Sequence, residues 1–200
     1  MNRARLKIAL LAPLAAASLS ACGVNSIPTA EENVNARWAD VQADYQRRAD
    51  LIPNIVATVK GSVAAEDKVL TDVMAQRAKA TSVQINAGDL SDPNKVAQYQ
   101  AAQTQLGASF GRLLATVEAY PQLQSQGNFK TLITEYEGTE NRITIAIRDY
   151  NTAVQAYNTR IRTFPDLIGA KLIYGAKPKV PFQATSPNAE QAPTVNFDTK

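Results

Sequence analysis

The composition of this 200-residue chain is typical of one globular domain, and its charge argues against nucleic-acid binding. The net charge of +3 is carried entirely by Arg3, Arg5 and Lys7; removing these three from the 21 basic residues leaves 18, against 18 acidic ones. The chain has no histidine and one cysteine, Cys22, so the commonest general base and the commonest transition-metal ligands are missing.

The first residues predict a lipoprotein signal peptide. A basic start precedes an apolar run over residues 8–19, which is too short to span a bilayer. The run ends in Leu19-Ser20-Ala21-Cys22, which is similar to a bacterial lipobox. The alternative is an ordinary secretory peptide with a chance cysteine, but Cys22 is the only cysteine and occupies the cleavage position. We therefore predict that residues 1–21 are removed and that Cys22 carries acyl chains such as palmitate.

The residues after the cysteine predict the cellular address. Gly23 rather than Asp follows Cys22, which favours the periplasmic face of the outer membrane if the cell is Gram-negative. Residues 22–28 form a predicted tether with a reach of about 20 Å, which holds the domain near the lipid surface.

The first helix is predicted to begin with a capping box, Thr29-Ala30-Glu31-Glu32. Its four-three spacing is typical of a bundle and contains one charged member: Val34, Trp38, Val41, Tyr45, Arg48, Ile52, Ile55 and Val59. Pro53 lies in this pattern and favours a break into two helices of about 33 and 43 Å. A single kinked helix is the alternative, and the continued spacing across Pro53 supports it.

Two further helices follow in the second half of the chain. Asp92-Pro93 predicts a helix start, and the bundle spacing then continues to Tyr120. The longest apolar stripe recurs every seventh residue: Phe129, Tyr136, Ile143, Tyr150, Tyr157 and Phe164. A second stripe, offset by four residues, contains Glu140, so this helix of about 50 Å should pack against two neighbours.

The chain changes character after Phe164-Pro165. Residues 165–182 mix apolar side chains with lysine and proline, and we expect a short structured extension that lies on the bundle. Residues 183–200 are rich in polar residues and proline, which predicts a disordered tail. The bundle itself is assigned to residues 29–164.

The residue inventory predicts no catalytic residues, no metal and no cofactor. Gly-rich phosphate loops and Gly-x-Ser-x-Gly elbows are absent from the sequence. Only Glu140, and less clearly Glu66, occupies a seam position, which is too few for a carboxylate-bridged metal pair.

Two charged residues interrupt the apolar stripes, Arg48 and Glu140. An unpaired buried charge is costly, so we hypothesise that they meet inside the bundle and fix its register. The alternative is that both lie at the edge of the seam with their charges in water. The repeat of Tyr150-Asn151 as Tyr157-Asn158 one heptad later is interpreted as core packing rather than as a ligand site.

Seven motifs in this order resemble the LemA family, over about residues 33–174. They are Arg47-Arg48-Ala49-Asp50-Leu51-Ile52-Pro53-Asn54, Thr58-Val59-Lys60-Gly61, Tyr120-Pro121, Glu140-Asn141-Arg142-Ile143, Tyr150-Asn151, Tyr157-Asn158 and Phe164-Pro165. The resemblance implies an all-α, antiparallel up-and-down four-helix bundle with long helices, attached to a membrane by its N-terminus. Many members use a transmembrane helix there, so a lipobox is a departure in anchor type.

The family implies no settled activity and no catalytic residues. Its relatives are associated with envelope organisation and often accompany membrane proteases, which makes such a protease one implied partner. The leading hypothesis is therefore a lipid-anchored scaffold or adaptor that contacts the bilayer through Cys22 and an envelope protein through its surface. The candidate surface residues are Asp50, Pro53, Asn54, Phe164, Leu167, Ile168, Leu172, Ile173 and Tyr174.

The alternative hypothesis is direct membrane binding or remodelling through the apolar C-terminal extension. An enzyme that relies on carboxylates, arginine or tyrosine is the third and weakest hypothesis.

Overall fold

The computed structural model of the chain describes residues 25–62 and 67–183, which form helices and no strand. The all-α class is therefore confirmed for this part of the chain. The predicted signal peptide, Cys22 and residues 184–200 of the predicted tail lie outside the described residues. The four long helices are α1 (Ser26–Ser62), α2 (Asp67–Ser82), α3 (Pro93–Val117) and α4 (Gly127–Arg160).

Short elements connect or follow the long helices. They are a 3₁₀ helix (Ala87–Ser91), the four-residue helices Pro121–Gln124 and Asp166–Gly169, and a π-helical turn (Ala170–Tyr174). The chain after Tyr174 has no regular secondary structure up to residue 183. Gly175 begins this segment with a φ of 56°, a left-handed conformation that glycine adopts without strain.

Helix α1 begins earlier than predicted, at Ser26, so the last three residues of the predicted tether belong to the helix. The Thr29 hydroxyl donates to the Asn25 carbonyl at 2.8 Å and therefore does not act as the expected cap. Ile27 is fully buried and packs close to Gly169. Burial of this side chain explains why the helix extends past the capping signal.

The predicted break at Pro53 is wrong, because α1 continues through it as one helix of 37 residues. Proline lacks the amide that would bond to the carbonyl four residues earlier, which belongs to Ala49. That carbonyl instead accepts a hydrogen bond of 2.6 Å from Arg77 Nε on α2. A side chain distant in sequence thus replaces the missing backbone donor, and the apolar spacing of α1 runs on uninterrupted.

The start of α3 agrees with the prediction. The Asp92 carboxylate accepts from the backbone amides of Asn94 and Lys95, and Pro93 occupies the first helical turn. The predicted stripe of α4 is buried from Phe129 to Tyr157. The prediction is wrong for the last member of the stripe, because Phe164 is 77% exposed. Helix α4 ends at Arg160, so the heptad spacing does not extend to Phe164.

The core consists of two apolar clusters. The first surrounds Trp38 and combines the first half of α1, the start of α3 with the chain before it, the second half of α4 and the C-terminal segment. The second lies among all four long helices, where Phe110 and Tyr136 stack at 3.9 Å between ring centroids. Between the two clusters, three helices contribute polar residues that contact one another: Arg48 on α1, Gln103 on α3 and Glu140 on α4.

Candidate functional site

A buried guanidinium lies at the junction of the two core clusters. Arg48 is 4% exposed, and its Nη1 donates to Glu140 Oε1 at 3.2 Å. Its Nη2 donates to the side-chain oxygen of Gln103 at 2.6 Å and to the Gln103 carbonyl at 3.1 Å. The guanidinium carbon also lies 4.8 Å from the centroid of the Tyr45 ring. One residue from each of three helices therefore converges on this cation, which we call the Arg48 centre.

The structure brings Arg48 and Glu140 together, but only Arg48 is buried. The Glu140 side chain is 39% exposed, so the pair extends from the core to the surface. Gln103, which shares the four-three spacing of the apolar residues Tyr99 and Leu106 on α3, supplies the closest acceptor. The sequence offered no sign of this role, because glutamine at a seam position does not identify its partner.

Tyrosines surround this centre and remain protonated near neutral pH. Burial raises the pKa of Tyr45 to about 12, with Arg48 opposing the shift. Burial likewise raises the pKa of Tyr99 and of Tyr136, and the neighbouring phenol or carboxylate adds to it. None of these three tyrosines is tuned for proton transfer at neutral pH.

A cleft of about 310 Å³ opens beside the Arg48 centre, between α1, α3 and the chain that follows α2. Its polar lining consists mainly of amide, hydroxyl and phenol groups, contributed by Gln42, Tyr45, Gln46, Thr81, Gln84 and Gln103. These groups can hydrogen-bond but supply neither a nucleophile with an adjacent base nor a charged clamp.

The predicted surface residues form two separate sites. Asp50 and Asn54 are exposed on α1, and Pro53 is partly buried next to them. Asp50 accepts from Gln46 at 2.8 Å and lies 3.9 Å from Arg77. Asp50 lies about 36 Å along α1 from Ser26, at a rise of 1.5 Å per residue.

The second surface site lies at the opposite part of the body, beside the start of α1. Phe164, Ile168, Leu172, Ile173 and Tyr174 are exposed there, whereas Leu167 is half-buried. The Ser26 hydroxyl donates to Asp166 at 2.8 Å, and Arg160 donates to the Ser26 carbonyl at 3.2 Å. The start of the described chain is therefore fixed next to these apolar side chains.

The Tyr-Asn repeat holds the C-terminal segment in an extended form against α4. The Asn158 side chain exchanges two hydrogen bonds of 2.8 Å with the backbone of Lys179. Asn151 makes the same pair of bonds, at 2.8 and 3.0 Å, with the backbone of Phe182. We call residues 179–182 the strap. The interpretation of the repeat as core packing holds for its tyrosines, which are buried, but missed the role of its asparagines.

Side chains of the strap also enter the body. Lys179 is buried and its Nζ lies 2.8 Å from Glu31 and 5.9 Å from the Tyr157 ring centroid. Phe182 stacks on Trp38 with 5.8 Å between ring centroids. The strap thus completes the first core cluster.

A sequence model of the LemA family matches residues 37–197. The chain belongs to the LemA family. It is 27% identical over 157 residues to magnetosome protein MamQ 2 of Paramagnetospirillum magneticum, which covers 70% of this chain and 58% of that relative. It is 25% identical over 159 residues to MamQ of Magnetospirillum gryphiswaldense, covering 70% and 58% of the two chains.

A further relative is the protein LemA of Metamycoplasma hominis, 24% identical over 124 residues, or 62% of this chain and 52% of the relative. The matched region therefore spans between half and three-fifths of the length of these curated relatives. In this LemA-family chain, the motif residues Arg48, Glu140, Asn151 and Asn158 make the contacts of the Arg48 centre and the strap.

The described part of this LemA-family chain holds no group of three carboxylates, histidines or cysteines close enough to bind a metal ion. Within residues 25–62 and 67–183, none of the helices has both the length and the hydropathy needed to cross a bilayer.

Proposed function

We propose that this LemA-family chain is a lipid-anchored scaffold or adaptor whose helical body stands on an envelope membrane. The observation that carries this proposal is the position of Ser26, at the start of α1. Ser26 is bonded to Asp166 and Arg160 at one end of the body. The predicted acylated residue, Cys22, is four residues earlier and can be at most about 14 Å away. Acyl chains there would hold this end of the body against the bilayer.

The proposed body is an antiparallel up-and-down bundle of the four long helices. Contacts between α1 and α4 support it, because Ser26 meets Arg160 at one end while Arg48 meets Glu140 farther along. Packing of α2 on α3 supports the second pair, with Arg112 of α3 bonded to Asp72 of α2 at 2.6 Å. A bundle of this kind is a rigid spacer between two surfaces.

The proposed role is non-catalytic. The tyrosines at the Arg48 centre have pKa values raised by burial, and the cleft beside it is lined mainly by neutral groups. A helical body whose described cleft is lined mainly by neutral groups is suited to holding a partner in place rather than to transforming a substrate.

The proposed partner surface is the part of α1 around Asp50, Pro53 and Asn54. It would face away from the bilayer, about 36 Å along α1 from the anchored end. An envelope protein, for which a membrane protease is one candidate class, would bind there. In a Gram-negative cell the proposed address is the periplasmic face of the outer membrane.

Mass spectrometry of the protein from membranes tests the anchor. The expected N-terminal peptide begins at Cys22 and carries acyl chains, and Cys22→Ala should release the protein from the membrane fraction. An unmodified N-terminal peptide from membrane-bound protein would contradict the anchor.

Crosslinking in intact envelopes tests the adaptor role separately. A photoreactive residue at Asn54 should capture a defined partner, whereas the same residue at the exposed Thr152 of α4 should not. Identical capture patterns at both positions would argue against a dedicated surface on α1.

A further inference from the structure

We propose that the exposed apolar residues Phe164, Ile168, Leu172, Ile173 and Tyr174 enter the surface of an anionic lipid bilayer and form a second membrane contact. We call these residues the end patch. The inference rests on the proposed membrane attachment and deepens it, because it adds a protein surface that fixes how the body stands on the lipid.

The end patch concentrates the exposed large apolar side chains of the described residues. Six such side chains are exposed in the described part of the chain, and five of them lie within residues 164–174. Phe164 and Leu172 are 77% and 82% exposed. The sixth, Ile145, is 49% exposed and lies near the middle of α4. A cluster of this kind marks a surface that contacts another apolar phase.

The fold presents these side chains outward because small residues face inward. Gly169 and Ala170 are buried, and Gly169 lies close to the side chain of Ile27. The short helix and the π-helical turn can therefore approach α1 closely while Ile168 and Leu172 point away from it. The apolar face is thus supported by the body rather than carried on a free tail.

The position of Ser26, at the start of α1, favours a lipid surface as the partner that covers the end patch. Ser26 is bonded to Asp166, which lies within the segment that bears the end patch. Acyl chains on Cys22, at most about 14 Å from Ser26, would enter the bilayer beside the patch. Because the acyl anchor already holds the protein at the bilayer, contact between the end patch and lipid would cost little further translational entropy.

The charges around the end patch are complementary to anionic headgroups. Between residues 160 and 177 the basic residues are Arg160, Arg162, Lys171 and Lys177, and the one acidic residue is Asp166. Asp166 is already engaged by Arg160, 3.6 Å away, so the remaining three cations are in excess. Each cation near an anionic surface raises the binding constant by about fivefold. Apolar side chains with lysine and arginine beside them are the usual composition of interfacial segments.

The first test uses the lipidated protein in vesicles of phosphatidylethanolamine and phosphatidylglycerol. Because Cys22 carries the lipid, a cysteine introduced by Leu172→Cys or Ile145→Cys is the only free thiol for an environment-sensitive fluorophore. The label at position 172 should shift to apolar emission and be quenched by brominated acyl chains, while the label at position 145 should not. Water-like emission at both positions would overturn the proposal and leave the acyl anchor intact.

The second test removes the anchor. Residues 22–200 with Cys22→Ser retain every described residue and should co-sediment with the anionic vesicles. Adding Phe164→Glu and Leu172→Glu should lower the binding constant by at least tenfold, and Ile145→Glu should leave it unchanged. Equal binding of the three chains would overturn the proposal, with thermal unfolding curves showing that each chain is folded.

Sedimentation without lipid tests whether a second copy of the chain covers the end patch instead. Residues 22–200 with Cys22→Ser should be a monomer. A stable dimer that the Phe164→Glu, Leu172→Glu substitutions dissociate would show that a second copy covers the end patch, and would also overturn the proposal.

Discussion

At the scale of single residues, the Arg48 centre joins three helices through hydrogen bonds. Its guanidinium is bonded to Gln103 and Glu140, and the apolar clusters begin on either side of it. If the helices slid along one another, this buried cation would lose its acceptors on α3 and α4, which disfavours other registers. That Arg48 and Glu140 fix the register of the helices therefore stays a hypothesis, and the structure gives the contacts through which they would do so.

Substitution of the pair tests that hypothesis. Arg48→Met should lower the free energy of unfolding by about 2–4 kcal/mol, because Gln103 and Glu140 lose their donor. Glu140→Leu should cost less, about 1–2 kcal/mol, since its carboxylate is partly exposed and Gln103 still binds the cation. In a double-mutant cycle measured by denaturant unfolding, we expect a coupling of about 1 kcal/mol.

The control for this cycle is the pair Arg142–Asp44, separated by 3.5 Å, in which the arginine is exposed. Arg142→Met should cost less than about 1 kcal/mol. Additive losses for Arg48→Met and Glu140→Leu would rule out a register role for their contact.

At the scale of elements, one side chain of α2 supplies the hydrogen bond that Pro53 removes from α1. Arg77→Ala should lower stability by about 1–2 kcal/mol, because the buried Ala49 carbonyl loses the donor that replaces the amide missing at Pro53. In a Pro53→Ala background the backbone supplies this donor, so the same substitution should cost clearly less. Denaturant unfolding of the four chains measures the difference.

The matched control is Lys79→Ala on the same helix, where an exposed lysine bonds to Gln105. It should change stability by less than about 0.5 kcal/mol in either background. An equal cost of Arg77→Ala with and without Pro53 would mean that the arginine acts through another contact, such as the one to Asp50.

The strap is a second element whose position depends on a few side chains. Asn151→Ala combined with Asn158→Ala should release it, because four bonds to the backbone of Lys179 and Phe182 are lost together. Hydrogen exchange at these two amides should accelerate at least tenfold. Fluorescence of Trp38, the only tryptophan, should also change as Phe182 leaves it.

The control substitutes the next residue in each repeat, Thr152→Ala with Thr159→Ala, because both threonines are exposed. Protection of the strap amides should then be unchanged. Fast exchange in the control, or retained protection in the asparagine variant, would contradict the assignment.

At the scale of the whole molecule, buried tyrosines predict sensitivity to alkali. Burial raises the pKa of Tyr45 and of Tyr157 to about 12, and raises the pKa of Tyr99, Tyr136 and Tyr150 as well. In the unfolded chain tyrosine ionises near pH 10. The unfolded state therefore releases protons first, and stability that is complete below about pH 10 should decrease as the pH rises toward 12.

The expected slope is up to about 1.4 kcal/mol per pH unit for each buried tyrosine. Denaturant midpoints measured between pH 9 and 12, together with tyrosinate absorbance, check this. Ionisation of more than two of the seven tyrosines near pH 10, before the helical signal is lost, would contradict it, because buried tyrosines would then ionise in the folded state.

Two regions along α1 differ in a way that bears on function. The end near Ser26 carries the apolar end patch and several cations, whereas the surface around Asp50 is polar. This asymmetry along one helix of 37 residues is the physical basis for proposing that lipid lies at the start of α1 and that a protein contacts the surface around Asp50.

The sequence by itself determined the all-α class and the apolar positions of the long helices. Helical periodicity is a local property, so Val34, Trp38 and Tyr150 could be assigned to the core without knowledge of their neighbours. The same periodicity singled out Arg48 and Glu140 as charged exceptions.

Only the tertiary structure decided the contacts that join distant parts of the chain. Arg77 reaches Ala49 from 28 positions away, and Asn151 reaches Phe182 from 31 positions away. Which donor meets which acceptor depends on how helices pack, and that packing is set by the sum of many apolar contacts rather than by any local pattern. For this reason the continuity of α1, the strap and the exposure of Phe164 followed from the fold alone.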